Sequence, residues 1–351
     1  MDDPNETGAE DRTGPRGRDA RMRGQGLFWA LALLVAALFL LSLLIGPAGL
    51  SVRESFSALL AGRGEAAVLV MREIRLPRAI LAVLVGASLG LSGAALQGYM
   101  RNPLAEPGLI GVSSSAALGA VLALQTGLAS AHVLALPASA LTGALIAVSL
   151  LLLLAGPRGG AFTLILAGIA LSALAGALTQ LVLNLSPNPY ATADIVFWLM
   201  GSLADRSFTH VWLALPLTLL GWILLAGLGR GLDALTLGED AAAALGIRLG
   251  RLRLALVIGV AASVGAGVAV AGAIGFVGLI VPHLLRPLVG ARPARLLPAS
   301  ALGGAALLLA ADIGVRLVLP DRDLKLGVVT ALIGAPLFIR LIYRTRAEAG
   351  A

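Results

Sequence analysis

The sequence predicts an all-α membrane protein of about ten transmembrane helices, and three observations predict it. Of 351 residues, 58% are hydrophobic and 13% are charged, about half of the roughly 25% charge typical of a soluble domain. The apolar residues gather into about ten runs near the roughly 20 residues that one span requires. Cysteine is absent, which excludes disulfides, thiolate metal centres and cysteine nucleophiles. His132, His210 and His283 fall in separate segments and make no metal cage. The lone lysine, Lys325, is followed by leucine, whereas an ATP-binding Walker A loop needs lysine followed by Ser or Thr in a Gly-rich turn. No cofactor, metal, catalytic group or nucleic-acid partner is expected.

Residues 1–26 are polar and lack apolar periodicity, which predicts a disordered cytoplasmic tail. Residues 27–346 form the membrane domain and 347–351 a short C-terminal tail. The first apolar run, 27–46, exceeds the roughly 7–15 residues of a signal-peptide core and is retained as a helix. A window of about 19 residues places the next spans at 78–100, 108–125, 132–155, 161–185, 208–228 and 252–271. A short span at 275–285 follows, then 296–317 and 326–343. The short one, bounded by Pro282, reads as a broken helix, which survives at depth only where protein or a water-filled cavity surrounds it.

An even number of spans puts both termini on one side. With that side cytoplasmic, inner segments hold 17 of the 26 basic residues, as the positive-inside rule requires. Most of the exceptions form two outer clusters: Arg53, Arg63, Arg72, Arg75 and Arg78, then Arg316, Arg322 and Lys325. They are read either as a binding surface or as charges neutralised by Glu54, Glu65, Glu73, Asp312, Asp321 and Asp323. Gly86, Gly90, Gly93, Gly265, Gly267 and Gly272 lie in small-residue spacings that let helices approach closely.

Ionisable groups are scarce in the spans, which argues against a pump or ion-coupled carrier. Asp312 and Arg316 are four apart and pair on one helix face. Glu106, between Pro103 and Pro107 in the turn that begins at Asn102, is a candidate cap for the third helix. His283 is expected to pack with a hydrogen bond. The longest inner loop, 229–251, holds a helix-forming stretch from Glu239 to Leu245 stopped by Gly246; a short exposed helix there suits docking into a partner's groove. Residues 75–98 and 251–278 echo each other faintly and start on opposite sides, as inverted repeats do. The alternative reading is therefore an ion-coupled secondary transporter.

Longer motifs carry a family resemblance. Arg75-Leu-Pro-Arg78, Ser92-Gly-Ala-Ala-Leu-Gln97 and Arg101-Asn-Pro-Leu-Ala-Glu-Pro-Gly108 resemble the FecCD permeases, the membrane subunits of ABC importers for iron-siderophores, haem and cobalamin. Leu237-Gly-Glu-Asp240, Ala244-Leu-Gly246, Gly275-Phe-Val-Gly-Leu-Ile-Val-Pro-His283 and Ala311-Asp312 agree in order and spacing. The resemblance implies a bundle of the cobalamin-importer type: a homodimer in the bacterial inner membrane, with two ATPase subunits below and a substrate-binding protein above. It implies ferric siderophore as first cargo, with haem and cobalamin next. It assigns ATPase coupling to Leu237, Gly238, Glu239, Asp240, Ala244, Leu245 and Gly246, and binding-protein docking to Arg75, Arg78 and Arg316. Gln97, Asn102, Pro103, Glu106, Pro107, Pro282, His283 and Asp312 belong to its structural motifs.

Overall fold

The computed structural model describes residues 15–349 apart from 47, 63, 157–158, 188 and 319–323, with side chains described from residue 25 to 340 except 191. Residues 1–14 of the expected tail, Arg63 of the first outer cluster, and Asp321, Arg322 and Asp323 of the second lie outside the described residues. The rest of the tail departs from expectation: α1 (Pro15–Leu44) is already helical at Pro15.

After α1 come α2 (Val52–Ala61), α3 (Glu65–Leu69) and a π-helical turn, Val70–Arg75, that runs without interruption into α4 (Leu76–Met100). A 3-10 turn, Pro107–Ile110, leads to α5 (Val112–Gln125), α6 (Leu128–Ala131), α7 (Ala135–Ala155) and α8 (Ala161–Asn184). Next are α9 (Pro189–Leu199), α10 (Phe208–Ala226), α11 (Gly229–Leu235), α12 (Glu239–Ala244) and α13 (Leu249–Ala271). The last described elements are α14 (Val277–Leu285), α15 (Pro293–Val318) and α16 (Leu326–Ala349); α16 takes in 347–349 of the expected C-terminal tail, and 350–351 lie outside the described residues.

Among the described residues, seven helical stretches are long and apolar enough to cross a membrane, and three shorter apolar ones, Val112–Gln125, Val277–Val289 and Leu326–Arg340, complete the ten expected positions. The second span begins earlier than composition suggests because α3, the π turn and α4 form one rod, Glu65–Met100.

That rod is the axis of the fold. Its most apolar stretch is 89% buried inside the protein, against 11% for α1, because α4 packs on α10, α13, α14 and α15. The small residues explain how. A Cβ at Gly86 or Gly90 would overlap the backbone of Gly304 or Ser300 on α15, and one at Gly93 would overlap Gly278 on α14. Backbone-to-backbone approach replaces the hydrophobic effect as the adhesive between helices in lipid. Polar pins cross the seams of α4 with α13 and α10: the Ser92 and Ser263 hydroxyls lie 3.2 Å apart, and Trp222 Nε1 donates to Ser88 Oγ at 2.9 Å.

Two non-helical segments, 200–206 and 272–276, sit against these packed helices. Backbone bonds tie them to the helices, as non-helical chain among spans requires: Ser202 N–H donates to the Ala271 carbonyl at 2.7 Å and Gly327 N–H to that of Met200 at 3.1 Å. Arg206 Nε donates to the Val270 carbonyl at 2.5 Å. At the α2 end, Ser51 caps α2 with a complete capping box, and its hydrogen bonds hold the Glu54 carboxyl below its usual value. Glu54 thus caps a helix, and among the described residues it makes no ion pair with the arginine cluster.

Candidate functional site

The residues singled out by sequence gather at three levels along the α4 axis. At the end carrying α2, Arg78 and Arg316 converge on Asp312, which is 1% exposed, with Arg75 on the neighbouring end of α1. Arg78 holds that carboxylate through Nε (2.9 and 3.2 Å) and Nη2 (2.9 Å). Arg316, one turn along α15, reaches it through Nη2 at 2.9 Å, the expected i,i+4 pair. Arg316 also donates to the carbonyls of Ser42 (2.9 Å) and Ile45 (2.7 Å) and to Ser42 Oγ (2.6 Å). Arg75 donates to the carbonyls of Leu43 (2.8 Å) and Leu44 (3.0 Å). Two guanidiniums therefore cap the last turn of α1, where carbonyls lack helical donors and the helix dipole favours cations.

This geometry revises the picture of three free docking charges. Arg75 is 4% exposed, and the Arg316 side chain is 7% exposed against 18% for Arg78. Arg75 and Arg316 tie α1 to α4 and α15; Arg78 presents the open face. Two guanidiniums on one carboxylate, with that of Arg75 on the adjoining α1 carbonyls, leave the cluster net positive.

At the second level the Asn102–Gly108 motif meets α14. Asn102 Oδ1 accepts from Leu104 N–H at 2.9 Å and shapes the turn that contains Pro103. Glu106 does not cap the third helix: its Oε1 accepts the Phe276 N–H at 2.7 Å, at the start of α14, where Phe276 adopts φ +66. Pro107 Cδ lies against Gly278, leaving no room there for a Cβ. Pro282 does not end α14, which continues to Leu285. It does lack the N–H that would serve the carbonyl one turn earlier, that of Gly278. Gln97 Nε2 supplies a substitute, reaching the carbonyls of Gly278 (3.4 Å) and Leu279 (3.3 Å). Arg286 Nη2 donates to Gln97 Oε1 at 2.7 Å and fixes the amide orientation. The anticipated hydrogen bond of His283 is not made: its Nδ1 is buried without a partner among the described residues.

At the third level α12 matches expectation closely. Glu239, Asp240, Ala244, Leu245 and Leu237 are exposed, Leu237 by 69% and Leu245 by 64%. Ala242 alone in the helix is buried. Gly238 at φ +107 and Gly246 at φ +83 bound it, backbone conformations that glycine adopts without a Cβ penalty. The result is a short helix standing off the bundle with an acidic first turn and an apolar residue at each flank.

Sequence reading missed Arg286 and Arg253. Arg253 clasps the turn before α8 by donating to the carbonyls of Gly156 and Gly159. Neither arginine sits in a recognisable motif, and their acceptors lie 94 to 189 residues away.

The FecCD transport family model matches residues 33–344. The vitamin B12 import system permease protein BtuC of Salmonella typhi is 40% identical over 330 residues, 93% of this chain and 98% of that protein. The uncharacterized ABC transporter permease protein YvrB of Bacillus subtilis (strain 168) is 41% identical over 280 residues, 78% of this chain and 79% of that one. A solved inward-facing structure, assigned to the metal-chelate type of ABC transporter, superimposes with a TM-score of 0.82 at 37% identity, covering 91% of this chain and 99% of that one. Ten apolar helical stretches with α4 at their centre, and a match that spans nearly the whole membrane domain, lead to one conclusion: this chain belongs to the FecCD transport family.

Proposed function

We propose that the chain is the permease subunit of an ATP-driven importer, working as a homodimer that carries a bulky metal chelate across the bacterial inner membrane with both termini cytoplasmic. Hydrolysis belongs to a separate ATPase subunit, since Lys325 lies in no phosphate-binding loop. The observation that carries this reading is α12. An exposed helix set off by two left-handed glycines is shaped to be gripped by a partner, and it lies on the same chain as the arginine cluster at the opposite end of the bundle. Displacing α12 shifts α11 and α13; α13 bears directly on α4 through Ser263 and Ser92. ATP-dependent closure of the partner pair then changes the relative populations of two bundle arrangements, which ligands bias only through unequal affinity for them.

The binding protein docks on the α2 end, where complementary charge fixes orientation and speeds encounter. Ferric siderophore is the first cargo, haem and cobalamin the next; the names of the relatives, one for vitamin B12 and one of metal-chelate type, support the class. The test is uptake of each labelled chelate into proteoliposomes holding the permease, its co-expressed ATPase and its binding protein. Uptake should require internal ATP. Uptake driven by an ion gradient without nucleotide would overturn the reading. Arg78→Glu should raise the binding-protein concentration for half-maximal uptake at least about tenfold. Reversing Arg75 as well would also release α1; because Arg78→Glu removes a partner of Asp312, its thermal half-life is measured beside uptake, and Arg78→Gln should show a smaller rise in the same concentration.

A further inference from the structure

We infer that the chain carries a binding site for an acidic phospholipid between the starts of α1 and α15. A cavity of about 560 Å³ opens there, lined among others by Gln25, Phe28, Trp29, Val289, Arg295 and Pro298. It lies at the α12 end: Asp233 Oδ1 on α11 accepts the Ala294 N–H at 2.9 Å beside it.

Three features select the ligand. The first is depth. The apolar part of α1, Gln25–Leu44, is 20 residues, the length that spans a hydrocarbon core, so Gln25 marks the headgroup boundary. Trp29, 66% exposed, and Phe28, with rings 5.9 Å apart edge to face, sit where aromatic residues anchor at that boundary. The second is charge. Arg295 lines the cavity and Arg292 is exposed just before α15. The helical start of α1 carries Arg16, Arg18, Arg21 and Arg23 against a single acid, Asp19. A cluster of four to eight basic residues immediately beyond a span attracts anionic headgroups. The third is polarity within the cavity. Pro298 brings no N–H to the carbonyl of Ala294, leaving an acceptor suited to a headgroup hydroxyl, while the remaining lining is apolar enough for acyl chains. Phosphatidylglycerol combines these properties. The family match begins at residue 33, so the α1 side of the cavity lies beyond the part of the chain that the family describes.

The test uses the full chain in nanodiscs containing phosphatidylglycerol or phosphatidylcholine with brominated acyl chains, at equal mole fraction. The readout is quenching that depends on Trp29, obtained by subtracting the signal of Trp29→Phe. Quenching should favour phosphatidylglycerol, and Arg295→Ala should lower that preference about fivefold, the gain from one basic residue at an anionic surface. Arg295→Lys, which keeps charge and stem, should retain it; this separates electrostatics from misfolding. Equal quenching by the two lipids, or a preference unchanged in Arg295→Ala, would overturn the inference. A preference that emerges only after deletion of residues 2–14, which hold five acids, would assign the cavity to the chain's own tail and equally overturn it.

Discussion

Replacing Asp312 with Asn removes one charge from the clamp while keeping its shape. Asn keeps one acceptor oxygen but no charge, and its Nδ2 faces a guanidinium donor: Arg78 would lose its ion pair and at least one of its three contacts, and Arg316 would lose its charge partner while keeping three contacts on α1. Removing one member of a buried pair costs roughly 3–5 kcal/mol, because the remaining charge is left uncompensated. The partial exposure of Arg78 and the carbonyls around Arg316 put the cost at the lower end, about 3 kcal/mol. Detergent-solubilised membrane proteins unfold irreversibly as a rule, so the measurement is a half-life at raised temperature, followed by size-exclusion fluorescence. If the clamp is fully broken in the unfolding transition state, about 3 kcal/mol shortens the half-life about 150-fold. Adding Arg78→Gln to Asp312→Asn should recover part of the loss, since the stranded guanidinium goes with it. A half-life within a factor of two of wild type, or strictly additive effects in the double variant, would refute the reasoning.

Other perturbations test the remaining levels. Gly93→Val forces α4 away from α14 and should abolish accumulation of folded protein in membranes, whereas Gly267→Ala, with only ordinary contacts around a new Cβ, should accumulate normally; expression with a fluorescent fusion reports both. Glu106→Ala removes the cap of α14 and should cost about 1 kcal/mol, seen as a shortened thermal half-life, while Glu106→Gln retains an acceptor oxygen and should stay near wild type. Gly246→Val strains a residue at φ +83 and should uncouple ATP hydrolysis from uptake in the assembled transporter, with hydrolysis at least half of wild type and uptake reduced about tenfold or more.

What could be read from the sequence follows the range of the physics involved. The spans were legible because hydropathy is a local sum, and α12 because alanines bounded by Gly238 and Gly246 specify a short helix without outside help. The pair of Asp312 with Arg316 was legible because one turn of helix separates them. Glu106 was misassigned for the complementary reason: its nearest helix start is α5, but the N–H it accepts belongs to Phe276, 170 residues on. Arg75 looked like a free outer charge because counting cannot show that α1 ends with carbonyls facing it. Pro282 looked like a helix stop because nothing local reveals Gln97 standing in for the missing donor.

The enclosure of α4 bears on how the molecule meets membranes of different thickness. A helix surrounded by other helices feels the bilayer only through them, whereas α8 and α10, each 28% buried, must themselves tilt or bend to match the hydrocarbon. Mismatch is thus absorbed at the periphery, and the spacing between the arginine clamp and the Gln97 junction, both anchored on α4, stays constant when lipid composition changes.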